Sequence, residues 1–497
     1  MSLFRKKDLA AMLAQSDDGG KGLKRTLGAG NLIALGIGAI IGAGLFVRTA
    51  AAAGQAAGPA VTLSFIIAAV GCAFAGLCYA EFAAMIPIAG SAYAYSYVTM
   101  GELVAWIIGW ALIMEYALGA ATVSIAWSEY LNKLTGGAIP YEWSHSPFES
   151  FTDSLGVAHS GIMNAPALII LLALTLLLIK GSQESAIVNA VIVFIKVAIV
   201  IIFIAVGWQF IKPENHTPYL IPAGQAAVTD SAGKVIADYS GAFKHGWGGV
   251  LGGAAIVFFA FIGFDAVSTA AQEAKNPKRD MPIGILGSLV VCTILYILFG
   301  HVLTGVAPWT DFVDPEKGRE ASVAYAISTY MTGYGWLATA VTVAILAGFS
   351  SVILVMLMGQ SRIFYSMSKD GLLPKAFGDL HPKYQTPYKS NWILFVFVGL
   401  FAAFVPGSVA GDLTSFGTLF AFVLVSLGIW ILRRKSPEME RPFKTPLVPL
   451  VPILGAVICL AMIFALDMQT LTVAFVWMII GLFVYFLYSK KTSKLNN

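Results

Sequence analysis

The sequence predicts an all-α polytopic membrane protein of about twelve helices, with the first and sixth interrupted in mid-membrane. Three observations carry that expectation. The 497 residues are 58% hydrophobic and only 12% charged, with a mean hydropathy of +0.79, whereas soluble proteins carry about 25% charged residues. Apolar stretches of membrane length recur along the whole chain. Two of them, near residues 38–46 and 258–265, are broken by glycine.

Crossing a hydrocarbon core of about 30 Å takes roughly 20 apolar residues per helix. By that measure spans are expected near 30–54, 60–85, 102–131, 162–180, 185–209, 247–274, 282–307, 334–361, 391–405, 409–432, 448–466 and 470–488. The ninth and eleventh are short or bounded by proline. The longest polar connections, 132–161 and 210–246, are too small for a soluble domain. Residues 1–29 are polar and contain no short apolar core followed by a cleavage site, so the first span is expected to stay in the mature protein. The expected organisation is a cytoplasmic segment 1–29, a five-helix repeat 30–209, an outer loop 210–246, a second five-helix repeat 247–432, helices 11 and 12 over 433–488, and a cytoplasmic tail 489–497.

Lysine and arginine set the expected orientation. With the N-terminus inside, most of the 31 basic residues fall on the cytoplasmic side. Arg48, Lys133, Lys212, Lys234, Lys244, Lys317 and Arg319 fall outside, and Lys196 belongs to neither. An even number of spans then puts both termini in the cytoplasm. The net charge of +4 follows from this bias and gives no reason to expect nucleic-acid binding. Cys72, Cys78, Cys292 and Cys459 all sit in apolar segments without metal-type spacing, and read as small buried hydrophobes.

The breaks are the most informative local feature. Glycine costs roughly 1 kcal/mol in a helix interior relative to alanine, so Gly38, Gly42 and Gly44 in close succession predict unwinding. The second stretch, Phe258-Phe259-Ala260-Phe261-Ile262-Gly263-Phe264-Asp265, interrupts an apolar segment with a glycine and a charge. Free backbone at membrane depth is tolerated only where it is buried in protein or lines a cavity. Paired breaks in corresponding halves point to a transporter's binding site. Each half also follows its broken span with a proline-containing turn (Pro59; Pro277 and Pro282) and has a long third member, at 102–131 and 334–361. Five spans per set is odd, so the second set runs with opposite orientation, an inverted repeat.

On these residues the chain resembles the amino acid–polyamine–organocation superfamily, and within it the bacterial relatives of the cationic amino acid transporters. The matching stretches are Gly38–Val47, Phe258–Pro277 (ending Gln272-Glu273-Ala274-Lys275-Asn276-Pro277) and Arg362-Ile363-Phe364-Tyr365-Ser366-Met367-Ser368-Lys369-Asp370-Gly371-Leu372-Leu373-Pro374. The resemblance implies a leucine-transporter-type fold, two extra helices after the repeats, and secondary transport rather than catalysis. The implied ligand is an L-amino acid. No cofactor is implied beyond a coupling proton, the remaining contacts are membrane lipids, and protein partners stay unassigned.

The chemistry at the breaks fits such a ligand. A half-helix starting around Gly42 to Leu45 presents free N–H groups and the positive end of its dipole to a carboxylate. The preceding half-helix, ending near Ile40, offers unpaired carbonyls to an ammonium group, as does the one ending near Phe259 and Ala260. Gly42 and Gly44 would let the ligand approach the backbone. The resemblance implies the same clamp, formed by Ile40, Ile41, Gly42, Ala43 and Gly44 together with Phe259, Ala260 and Ile262. The alternative for the glycines is tight helix packing. Relatives also imply that Phe259 closes the site from outside, against a plain core role.

Among ionisable groups, Lys196 lies in the apolar run Asn189–Gly207 and should face the bundle interior. A buried ammonium gives up its proton more readily than an exposed one, which suits a reversible proton carrier. The resemblance implies that role for Lys196, with Ser350 and Ser351 on the eighth span as neighbours. The alternative is a permanent charge that braces the first broken helix. Glu115, near the middle of the third span, would bind the charged end of a basic substrate, relay protons, or pair with a polar group elsewhere. Asp265 is placed to sit at the start of the next half-helix, where its charge suits the dipole. Glu81, Glu102, Glu273, Arg362 and Asp467 lie near span ends and read as interfacial or loop-bridging. His301 has no evident partner. Met356, after the serine pair, would line the side-chain pocket and favour small substrates.

No span holds a His, Asp, Glu or Cys set spaced for catalysis. The expectation is therefore proton-coupled uptake of small neutral or cationic L-amino acids, with an exchanger or a non-transporting sensor as alternatives.

Overall fold

The computed structural model describes residues 4–7, 27–86, 91–153, 155–180, 186–229, 233–269, 271, 274–314, 317–319, 321–384 and 386–496. Most of segment 1–29 and Glu273 lie outside these residues. Helices that are apolar around their whole circumference must be covered by protein or lipid on every side, and that property organises the chain.

The first break divides α1 (Ala29–Ile40) from a helical stretch α2 over 44–57. Gly58, at φ 59°, and Pro59 end α2 and turn the chain into α3 (Val61–Met85). A short helix α4 (Ser91–Thr99) lies between α3 and the long α5 (Glu102–Leu134). Then come α6 (Ala165–Lys180) and α7 (Ala186–Gly207). The second broken segment is α8 (Gly246–Val257), a tighter turn Phe258–Phe261, and the short α9 (Ala266–Thr269). After it run α10 (Pro277–Val306), the short α11 (Ser322–Tyr330), α12 (Gly335–Lys369), α13 (Tyr388–Phe404), α14 (Gly407–Lys435), α15 (Leu450–Phe464) and α16 (Met468–Val484).

Among the described residues, seven helical stretches are long and apolar enough to cross a membrane, and five more are apolar but shorter. The chain is a helical polytopic membrane protein. Packing falls into pairs: α3 against α10, α5 against α12, α6 against α13, α1 against α10 and α8 against α3. The long α5 and α14 also run against each other, and α15 covers α14 and α3.

Small connecting structures finish the two ends. Two hairpins, β1 (Ser150–Thr152) with β2 (Ala158–Ser160) and β3 (Val228–Thr229) with β4 (Val235–Ala237), are joined by Lys234. Its Nζ donates to the carbonyl and hydroxyl oxygens of Ser150 at 2.8 and 2.7 Å. At the opposite end, residues 4–7 and the last helical turns are stitched to α4 and the 370–372 turn. Lys7 pairs with Asp370 at 2.7 Å, Tyr93 donates to the same carboxylate, and Thr492 donates to the Gly371 carbonyl at 2.6 Å. Glu102 accepts from the hydroxyls of Tyr97, Tyr485 and Ser493.

The charges near span ends have structural partners. Arg433 grips Glu81 with two nitrogens at 2.9 and 2.8 Å, and the Thr445 amide adds a third bond at 2.8 Å. Asp467 faces Lys244 at 3.7 Å. His301 lies against His216, with ring centroids 4.5 Å apart. Arg48, placed by the sequence among the outer-side charges, is buried in α2 and bonded to Asp412 of α14. The membrane gives a reason: a guanidinium at that depth needs an anionic partner. All four cysteines are buried and unbridged.

Candidate functional site

Ile41 leaves the helix with an extended backbone (φ −73°, ψ 105°), and its N–H still donates to the Ile37 carbonyl as the last bond of α1. Helical bonding resumes when the Leu45 and Phe46 amides donate to the Gly42 carbonyl at 3.1 and 3.3 Å. Ile40, Ile41, Ala43 and Gly44 are all buried, so the break is enclosed in protein. In the second broken segment Phe258, Phe259, Ala260 and Phe261 form a tight turn, Ile262 is extended, and Gly263 takes φ 113°. Phe259 and Ile262 are buried as well.

The two breaks cross in direct contact. A Cβ added at Gly44 would meet the Ala260 Cα and, at 2.7 Å, its nitrogen; one added at Gly263 would lie 2.8 Å from the Ala39 carbonyl oxygen. Here glycine is required by backbone-to-backbone approach. Gly42 is different: an added Cβ would lie 3.2 Å from a methyl of Val352 on α12, where a side chain could give way.

One side chain that sequence reasoning missed joins these breaks. The hydroxyl of Tyr296, on α10, reaches the Ile40 carbonyl at 3.0 Å and the Ala260 carbonyl at 2.8 Å. These two carbonyls lie within the stretches expected to receive an ammonium group. A tyrosine in an apolar span carries no mark of this role, so no sequence signal would have singled it out.

Lys196 is buried, and its Nζ donates to the Gly38 carbonyl at 3.0 Å, inside the last turn of α1. Its aliphatic stem runs over Gly348, where an added Cβ would lie 2.8 Å from the lysine Cε. Gly348 is close in sequence to Ser350 and Ser351, so the lysine and the serine pair share one neighbourhood. The Ser350 hydroxyl itself turns back to its own helix and donates to the Leu346 carbonyl at 2.9 Å.

Glu115 is 1% exposed. Thr418 and Asp265 lie near it. Tyr116 donates to Asp265 at 3.3 Å, so Asp265 does more than sit beside a helix end. Met356 packs on α5, with its sulfur 2.8 Å from where a Cβ on Gly119 would stand. Tyr116 and Met356 therefore line the α5–α12 seam, Glu115 lies against Gly417 and Thr418 of α14 with Asp265 of the second break beside it, and Lys196 lies at the first break.

Where α8 begins, the two broken segments are also joined. The His245 amide, just before α8, donates to the Ala56 carbonyl of α2 at 2.7 Å. Its ring stacks on Tyr239 at 4.3 Å and lies 5.1 Å from Trp309, with both nitrogens free of hydrogen bonds. Burial, with the Lys244 charge beside it, pushes this imidazole down to about 4.

Two interrupted, crossed helices buried in a polytopic bundle define a membrane transporter rather than an enzyme. The amino acid permease family model matches residues 27–489, and the chain belongs to that family. It is 42% identical to the branched-chain amino acid permease BcaP of Bacillus subtilis over 497 residues, covering 100% of this chain and 99% of that protein. It is 40% identical to the methylthioribose transporter of the same organism, with the same coverage. The cationic amino acid transporter 4 of Homo sapiens is 34% identical over 439 residues, 86% of this chain and 63% of that protein.

Proposed function

We propose that the protein imports L-amino acids with protons by alternating access around the two crossed breaks. The observation that carries this reading is the buried Lys196 ammonium on the Gly38 carbonyl at 3.0 Å. Loss of its proton removes a charge-assisted bond from the last turn before the break, which couples protonation to the geometry of the site. The substrate carboxylate sits on the amides of Gly42 to Gly44, the Leu45 amide being engaged by the Gly42 carbonyl, and its ammonium on the carbonyls near Ile40 and Ala260. Phe259 closes the site from outside, Ser350 and Ser351 flank the proton site, and no cofactor other than the coupling proton takes part.

The architecture we assign is twelve spans in a leucine-transporter-type arrangement, two inverted five-helix repeats followed by two helices. The pairing of α3 with α10 and of α5 with α12 supports it, because an in-plane two-fold axis brings equivalent helices together. Both termini face the cytoplasm, and the protein resides in the plasma membrane. The substrates are small neutral amino acids, with cationic ones admitted by Glu115. Relatives named for branched-chain and for cationic amino acids bracket this range.

The test is uptake into proteoliposomes from a panel of radiolabelled amino acids, with and without an inward proton gradient. Accumulation should require the gradient and disappear in Lys196→Ala. Accumulation that survives in Lys196→Ala would sink the coupling role. A requirement for internal amino acid would instead make the protein an exchanger, and binding without accumulation would make it a sensor.

A further inference from the structure

The seam between α5 and α14 has a definite register. A Cβ added at Gly417 would lie 2.9 Å from the Ala111 carbonyl oxygen and 3.3 Å from the Glu115 nitrogen. One added at Gly119 would lie 3.4 Å from a methyl of Thr414, and one at Gly407 would lie 3.1 Å from a methyl of Ile125. As one number rises the other falls, so the helices run antiparallel. Because Gly417 has no side chain, the α14 backbone lies directly against the turn of α5 that carries Glu115. The Glu115 main chain has little room to shift there, so its carboxyl stands where its side-chain contacts hold it.

Thr418 supplies such a contact. It is fully buried, and its hydroxyl hydrogen-bonds with the Glu115 carboxyl. The same hydroxyl lies 3.2 Å from the Thr414 carbonyl of its own helix, whereas Thr414 makes the equivalent bond one turn earlier at 2.8 Å. The longer distance suits a hydroxyl shared between two partners. A hydroxyl has one hydrogen to give and two lone pairs that accept. With Glu115 ionised, Thr418 donates to the carboxylate. With Glu115 protonated, the carboxyl donates to Thr418, which turns its own hydrogen to the Thr414 carbonyl. The contact survives in both states.

We propose that Thr418 is a positioning residue for substrate selection: it holds the Glu115 carboxyl in one orientation beside the second break, ready for the terminal cation of a lysine-like side chain. A buried carboxylate that is already aimed loses little on meeting a cation, whereas one free to turn must first be ordered. Neutral side chains make no use of this aim. The inference rests on the reading above in which Glu115 admits cationic substrates.

The experiment is competition against radiolabelled alanine uptake by the purified full-length protein in proteoliposomes, with lysine and methionine as competitors of similar length. Wild type should be inhibited by both, and Glu115→Gln should lose inhibition by lysine while keeping that by methionine. Thr418→Val, which keeps shape and removes the hydroxyl, should raise the half-inhibitory concentration of lysine about tenfold, the scale of one hydrogen bond to a charged group. Methionine and alanine itself should stay within about twofold. Thr418→Ser should restore lysine. An unchanged lysine/methionine ratio in Thr418→Val, beside a shifted one in Glu115→Gln, overturns the positioning role alone. Equal loss of lysine, methionine and alanine in monodisperse Thr418→Val also overturns it, as does a serine variant no better than valine, since both mark packing and not the hydroxyl. A wild type indifferent to lysine, or a ratio unmoved in Glu115→Gln, overturns the reading of Glu115 and this assignment with it.

Discussion

The two breaks solve one problem in different ways. Both expose backbone where no water is available, and both lie within reach of the Tyr296 hydroxyl. The first is brief: Ile41 turns extended and α2 begins almost at once, with a lysine from α7 holding the Gly38 carbonyl. The second is longer. A tight turn, an extended Ile262 and a left-handed Gly263 precede a short helix. A movable charge braces one, and backbone shape, packed between α3 and α14, holds the other. A change of protonation can therefore act on the first break directly, and on the second only through their crossing.

The crossing should be the most sensitive point. Gly44→Ala drives a Cβ into the Ala260 backbone, and overpacking of this kind costs about 1–3 kcal/mol. We expect a cost at the upper end of that range, seen as a lowered melting temperature of the detergent-purified protein, and loss of uptake. Gly42→Ala faces only a valine methyl and should be much milder; equal damage from both would refute the distinction between them.

Lys196→Ala and Tyr296→Phe separate the two braces. Removing a partner from a buried polar group costs about 1–3 kcal/mol. Hydrogen exchange should rise around residues 37–42 alone in Lys196→Ala, and around both 37–42 and 258–264 in Tyr296→Phe. Identical patterns in the two variants would mean that the breaks share a single brace.

The His245 junction gives the smallest expected effect. His245 takes up its proton in the unfolded chain near its ordinary value of 6.5, but only near 4 when folded. Between those values the unfolded state binds more protons, so stability falls as pH falls, by at most about 1.4 kcal/mol per unit. It is flat above this window and again below about 4. His245→Phe should flatten the melting temperature between pH 6.5 and 4.5 relative to wild type. An unchanged slope would assign the acid sensitivity to another group.

Much of this was readable in the residues. Hydropathy located the apolar segments because a helix in lipid has little freedom of composition; clustered glycine located the first break, and a glycine beside a charge the second, because unwinding leaves a local mark. Lys196 stood out because an isolated cation in an apolar run is costly. Tertiary register leaves no such mark. Tyr296 looks like any aromatic in a span, and Thr418 like any threonine in one. The burial of Arg48 was not legible because its partner, Asp412, lies 364 positions away. The N-terminal segment gave only composition, and little of it lies among the described residues.

Tyr296 has one hydrogen to give and two carbonyls within reach. At any instant it serves Ile40 or Ala260, and the other keeps a lone pair that this hydroxyl does not engage. The crossing therefore always retains acceptor capacity, yet neither break has to go without a donor for long. A donor arriving between the breaks needs to displace no bond before it makes one, so the first step of capture carries little enthalpic penalty. A phenylalanine at this position would leave both acceptors without the hydroxyl and so remove that alternation, leaving the shape of the crossing to packing alone.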